Sequence, residues 1–252
     1  MAKQTGILPI EGTIGNLTFF KSKEGFLVRS KGGIAADKIA TDPAFQRTRE
    51  NMAEFSRAGK GAKLLRTAFR AALIKSKDQL IVSRLTTQML KVVQADDVND
   101  RGLRNVIDGE ALLLEGFEFN RNARLSATLY APFTASLVRS SGAATVTVPG
   151  FVPLNMVTAP TGTTHFRLFS GAAAIDFENE SYEVDTAVTA EMVYGNTAIA
   201  DMSLTCALPG NSTYPLFLVF GIEFLQQVNG KMYPLNNGTY NACSLIKVDA
   251  PV

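Results

Sequence analysis

"PLFLVFGIEFLQQVNGKMYPL", residues 215–235, is the stretch on which the reading of the fold turns. Its apolar part is about ten residues long, too short to cross a bilayer as a helix. It is rich in Phe, Leu, Val and Ile, which favour pleated structure. It ends at Asn229-Gly230, the pair that best suits a two-residue hairpin turn because both residues tolerate positive φ. "KMYPL" then supplies the return strand. The segment is therefore a β-hairpin.

Similar short runs fill the region from about Glu110 to the end. "ALLLEGFEFN", "LSATLYAPF", "ASLVRS", "TVTVPG", "HFRLFSGAAAIDF", "YEVDTAVTAEMVY", "MSLTCALP" and "NACSLIKV" are β-branched or aromatic and are spaced by Gly, Pro, Asn and Ser. That pattern predicts an antiparallel β-sandwich over 106–252. No repeat of solenoid length interrupts it.

Residues 1–105 read differently. Thr41 or Asp42 is a good N-cap and Pro43 suits a first helical turn. Phe45, Arg49, Met52 and Phe55 follow helical spacing, and Phe45, Phe55 and Phe69 are expected in the core. "AGKG" at 58–61 is expected to weaken or break this helix. A second helix is predicted over about 62–75 and a third over about 78–94, before the punctuation "DDVNDRG" at 96–102. The fold class is thus α+β, with an N-terminal hairpin and helices over 1–105 followed by the sandwich.

The hairpin itself is "GTIGNLTFFKSKEGFLVRSKGG", residues 12–33. Strands are predicted over 16–21 and 26–31, joined at "SKEG", where Gly25 can take positive φ. Phe19 and Phe20 are adjacent, so they point to opposite faces. A ribbon apolar on both faces must be covered. It either completes the sheet of its own β half or adds to that of a neighbour. In the second case Ile14, Leu17, Phe19, Phe20, Phe26, Val28 and Arg29 form an assembly interface, with Gly12, Gly15, Gly32 and Gly33 as flexible joints.

The chain has 252 residues, 46% of them hydrophobic and 19% charged, enough to bury a core. The first residues lack the unbroken apolar segment of a secretory signal, since Pro9 and Glu11 interrupt them. Cytoplasmic synthesis is expected, with a virion or extracellular particle as a possible final location, and no membrane insertion. The three Asn-x-Ser/Thr matches, at Asn16, Asn211 and Asn237, carry no meaning without such a signal. Cys206 and Cys243 are two thiols rather than a disulfide framework, and are expected buried and free.

Net charge is +2, but it is unevenly divided. Residues 1–105 hold 19 Lys and Arg against 10 Asp and Glu; residues 106–252 hold 6 against 13. The basic surface comprises Arg47, Arg49, Arg57, Lys60, Lys63, Arg66 and Arg70 on the helices. The acidic surface is "IDFENESYEVD", with Asp176, Glu178, Glu180, Glu183 and Asp185. Such a split suits contact with nucleic acid, or head-to-tail contact between copies. It also arises when helices are simply solvated by Lys and Arg.

Motifs for catalysis are missing. His165 is the single histidine and lies in an alternating strand. There is no Gly-x-Ser-x-Gly elbow, no zinc spacing, no EF-hand loop and no phosphate-binding glycine motif. "RAGKGAKLLR", residues 57–66, places glycines and bases at an expected helix start, which could hold an anion. No cofactor, metal site or enzymatic activity is expected.

Gly12, Ile14, Gly15, Asn16, Arg29, Asp42, Pro43, Gln46, Arg47 and Arg49 carry a resemblance. In this pattern an opening G-x-I-G hairpin ends in a basic residue, and a basic Asn/Asp-Pro helix with a β-rich remainder follows. The chain resembles uncharacterised bacterial and phage-type structural proteins over roughly its first 70 residues. The resemblance implies a non-enzymatic structural part. The expected role is a self-assembling homo-oligomeric subunit of a virion, phage-tail-like particle or filament. Its partners would be copies of itself or other particle subunits. The alternatives are a cytoplasmic nucleic-acid-binding accessory protein using the basic helices, and a ligand- or glycan-binding sandwich using loops such as "APTGTTH" at 159–165.

Overall fold

The structure is a computed structural model that describes residues 2–6, 8–30, 32–76 and 78–250, with the backbone alone at 236 and 237. Lys31, the last residue of the predicted return strand, lies outside the described residues, as do Met1, Pro251 and Val252 at the outer ends of the two predicted regions. The chain is α+β with antiparallel sheets and divides into two compact units, Met1–Arg49 and Glu50–Val252.

The first unit holds four short strands: β1 (Ala2–Lys3), β2 (Gly12–Ile14), β3 (Leu17–Ser22) and β4 (Gly25–Ser30). They pair antiparallel in the order β1-β4-β3-β2. The predicted hairpin is present one residue out of step, with Ser22 opposite Gly25 and Lys23-Glu24 as its turn. Gly25 has φ 107°, which a side chain rarely adopts. A short helix α1 (Ala36–Thr41) was not foreseen. Asp42 is the cap, its carboxylate accepting from the Ala44 amide at 2.9 Å, and Pro43 opens a 3-10 turn, Pro43–Phe45, that leads into α2.

Helix α2 (Gln46–Ala68) runs unbroken through "AGKG", contrary to expectation. Gly61 is buried, and a Cβ there would lie 3.2 Å from Val106 Cγ2 and 3.4 Å from Met89. It is a close-approach residue, not a breaker. The buried face of α2 is Glu54, Ala58, Gly61, Ala62, Leu65 and Ala68. Met52 and Phe55, expected in an apolar stripe, are exposed, and Phe45 is only half-buried. Of the three expected core phenylalanines, Phe69 alone is buried. After a break at Phe69 come α3 (Arg70–Leu73) and α4 (Ile81–Gln94).

Two predicted strands are absent from their places. "ALLLEGFEFN" forms a 3-10 turn, Ala111–Leu114, and one isolated bridge from Glu118 to Ser244. "LSATLYAPF" begins with α5 (Leu125–Thr128) and bridges Leu129 to Val157. The remaining elements are β5 (Thr134–Val138), β6 (Ala143–Val148), α6 (Pro153–Met156), β7 (His165–Asp176), β8 (Ser181–Val188), β9 (Met192–Val193), β10 (Met202–Ala207), β11 (Leu216–Val228), β12 (Lys231–Pro234) and β13 (Ala242–Asp249).

β11 and β7 pair over ten positions at the centre of a curled six-stranded antiparallel sheet. β8 and β9 lie beyond β7, and β12 and β13 pair with β11. The β11–β12 turn is Asn229-Gly230 with φ 50° and 77°, as the quoted stretch predicts. Alternation splits the sheet between two apolar cores. Phe169, Ala173, Phe217 and Val219 face the core that includes Leu65, Leu85 and Met89 from the helices. Phe166, Leu168, Phe220 and Ile222 face the core that includes Val146 and Leu204 from the separate three-stranded sheet β10-β6-β5. The change of pattern expected at 105/106 therefore falls inside the second unit, because helices and sheet share one core.

Candidate assembly surface

The registers of β2, β3 and β4 sort the predicted interface residues by face. Ile14, Leu17, Phe19, Phe26 and Val28 share one face; Phe20 and Arg29 share the other with Leu27. The Arg29 guanidinium carbon sits 5.3 Å from the Phe20 ring centroid, and Lys21 Nζ sits 5.5 Å from that of Phe26. Each cation thus caps an aromatic ring of its own face. Ile14 is 61% exposed and Leu17 39%. Among the described residues of the first unit, Leu27 is the one buried apolar side chain. Along β4 its same-face neighbours are Gly25 and Arg29, so no apolar alternation marks it in the sequence, and Phe20 lies opposite it on β3. Within this unit the Gln4 side chain ties the chain together, bonding the Ile10 amide at 2.9 Å and the Ile10 and Leu27 carbonyls.

Among the described residues the hairpin pairs with β1 and β2, inside the first unit.

The basic residues are not one surface. Arg49 donates to the Ile39 and Asp42 carbonyls at 2.7 and 2.9 Å, closing the α1–α2 turn. Arg57 donates to the Gly102 and Arg104 carbonyls at 2.6 and 3.0 Å and pins the 96–109 loop. Lys60 lies 3.3 Å from Glu180. Arg47 is exposed near the start of α2. Lys63 and Arg70 are exposed and Arg66 half-buried. The expected anion site at "RAGKGAKLLR" does not form as foreseen, since no helix starts there.

The acidic stretch is also divided. Asp176 is buried, not a surface acid. Its carboxylate accepts from the Glu178 and Asn179 amides at 2.9 and 3.0 Å and from Asn179 Nδ2 at 2.8 Å. The Asn179 amide leads in holding its carboxyl below the usual range, against the opposing effect of burial. Asp185 is half-buried and ties β8 to β10 by accepting from the Ala207 amide at 2.7 Å. Glu178, Glu180 and Glu183 remain exposed. Lys60 and Glu180 show that the two charged surfaces already meet within one chain.

Several structural clusters had no clear sequence signal. Glu223, buried on β11, takes Arg167 Nε at 2.6 Å and Lys75 Nζ at 3.2 Å on one oxygen. Arg139 gathers the Ser212, Tyr214 and Asp249 carbonyls and the Asp249 carboxylate. Asp96, buried in "DDVNDRG", organises that loop. Burial pushes its carboxyl up, but hydrogen bonds from Asn99, Asn105 and Val98 outweigh this and hold it low. His165 is half-buried at the head of β7, with Nδ1 3.0 Å from Thr164 Oγ1. Cys206 and Cys243 are free, buried, and in different cores. Burial pushes both thiols up, away from the reactive thiolate. Among the described residues no group of three or more His, Cys, Asp or Glu side chains is placed to hold a metal ion, and no helix is long and apolar enough to cross a membrane.

No family model and no curated protein matches the chain. Among solved structures, the human F-spondin reeler domain (fragment 1) aligns with 50% of this chain and 99% of its own length, at 12% identity and a TM-score of 0.17. Likeness at that level carries no argument about fold or function.

Proposed function

We propose that the chain is a non-enzymatic structural subunit that assembles with copies of itself, its N-terminal sheet docking on a neighbouring subunit. The observation that carries this reading is the first unit: four short strands, apolar side chains on both faces, and, among its described residues, Leu27 alone buried. Such a sheet needs a cover to be stable in water. A second copy is the occupant, because the sheet's own cations, Arg29 and Lys21, match the exposed Glu178 and Glu183 of another chain's second unit. A virion, phage-tail-like particle or filament is the setting, in line with the resemblance of the opening residues. The same reading treats the six- and three-stranded sheets as the two halves of a β-sandwich, supported by the apolar cluster they share.

The test is light scattering and negative-stain microscopy of the full chain and of a variant lacking residues 1–33. Rings, tubes or filaments that vanish on truncation are expected. A folded monomer at high concentration in both would overturn the proposal.

A further inference from the structure

A cleft of about 480 Å³ opens in the second unit, lined by Arg66 and Thr67 of α2, Arg70 of α3, and Gln79, Ile81 and Val82 at the start of α4. We infer that this cleft binds a phosphate-type oxyanion, held between the two guanidinium groups and the N-terminus of α4.

Three independent features meet there. First, Arg66 and Arg70 are one helical turn apart in sequence, and neither has a hydrogen bond or ion pair within the described residues. Their neighbours differ: Arg49 and Arg57 are spent on carbonyls, and Lys60 on a carboxylate. Second, Arg66 Nε is shut off from water with no acceptor. An N–H left in this state costs stability, here as at Arg84 and Arg104, and the two-oxygen edge of an oxyanion is a partner that the Arg66 fork fits. Third, α4 is a helix of 14 residues whose N-cap, Leu80, supplies no side-chain acceptor and whose first turn has no acidic residue. The amides of the first turn and the positive end of the helix dipole favour an anion at that point, beside the Asp78 carboxylate that takes the Leu80 amide.

One carboxylate, Asp78, also lines the cleft, and it would repel an anion were it free. It is spent: Oδ1 accepts from the Leu80 amide at 2.7 Å, and Oδ2 takes Arg84 Nη2 at 2.6 Å and the Arg121 amide at 2.9 Å. Arg84 neutralises its charge. The cleft therefore keeps a net positive character from Arg66 and Arg70. The exposed Val82 and Ile74 give its rim an apolar part, which suits a phosphate carried on an organic body.

The experiment titrates the full chain with inorganic phosphate by calorimetry at constant ionic strength, against chloride. A parallel arm uses a single-stranded oligothymidylate. Saturable phosphate binding is expected, weakened by about tenfold or more in Arg66→Gln/Arg70→Gln and unchanged in Lys63→Gln, whose charge lies outside the cleft. If the glutamine variant does not fold, Arg66→Lys/Arg70→Lys takes its place. It keeps the charge but loses the fork, and must still bind more weakly than the parent. Oligothymidylate that binds more tightly than phosphate, with a steep loss in salt and the same dependence on Arg66 and Arg70, identifies a nucleic-acid backbone as the source. Oligothymidylate that binds no tighter identifies a small phosphorylated ligand. No saturable phosphate binding, or binding that Arg66 and Arg70 substitutions leave untouched, overturns the inference.

Discussion

Two sheets in this chain use similar residues to different ends. β7 and β11 of the second unit place large apolar side chains on both faces, and both faces are sealed, one by helices and one by the three-stranded sheet. β3 and β4 of the first unit also place large apolar side chains on both faces, and bury Leu27 alone. The first arrangement is a finished core. The second has the composition of a core without its cover. Apolar pattern thus fixes which residues seek burial, and topology decides whether the chain itself provides it.

Matched substitutions distinguish the two sheets. Phe220 is fully buried between β-sheets, and Phe220→Ala should cost about 3–5 kcal/mol in chemical denaturation. Phe19→Ala in the half-buried front sheet should cost the dilute protein less than about 1 kcal/mol, yet weaken its assembly. Equal losses in dilute solution would mean that the front sheet is already sealed.

Glycines give a smaller contrast. A Cβ on Gly221 would lie 2.3 Å from Phe169 Cζ and 2.4 Å from the Ala242 carbonyl oxygen. Gly221→Ala should therefore destabilise the second unit by about 1–3 kcal/mol through overpacking. Gly15 in the front sheet has open space around it and φ 58°, so Gly15→Ala should cost only about 1 kcal/mol, through backbone strain alone. Thermal melts of the two variants separate crowding from strain.

Acid sharpens the picture of the second unit. Asp176 has a folded-state carboxyl held below its ordinary value of 3.8, so its contribution is fully present above that value. It is lost progressively as pH falls from there through the lower folded-state value. Asp176→Asn should cost about 1–2 kcal/mol at neutral pH and flatten the acid limb of the stability curve. An unchanged acid limb would remove Asp176 from the account. The smallest effect is a gain. Gly59 has nothing within 4 Å of an added Cβ and lies inside α2, so Gly59→Ala should raise stability by roughly 0.5–1 kcal/mol.

Much of the fold was legible where local signals and burial agree. The Asn229-Gly230 turn, the long strands β7 and β11, and the front hairpin follow from turn chemistry and β-rich composition. Legibility failed where tertiary contact decides. "ALLLEGFEFN" and "LSATLYAPF" are short apolar runs, which strand and helix share. In the first, Gly116 at φ 80° turns the chain away from a ladder. Gly61 resembles a helix breaker until Met89 and Val106 are seen against it. Charge was the least legible property of the candidate surfaces. Asp176 and Arg57 carry the same formal charge whether they face water or hold a loop, and only the backbone groups around them decide which.

Completion of the front sheet by another copy of the chain is read by amide hydrogen exchange of the full chain at low and high protein concentration. Amides of β3 and β4 are expected to exchange quickly when dilute and to gain protection with concentration, while those of β7 and β11 stay protected throughout. Protection in β3 and β4 that is the same at every concentration would mean that no second copy covers the sheet.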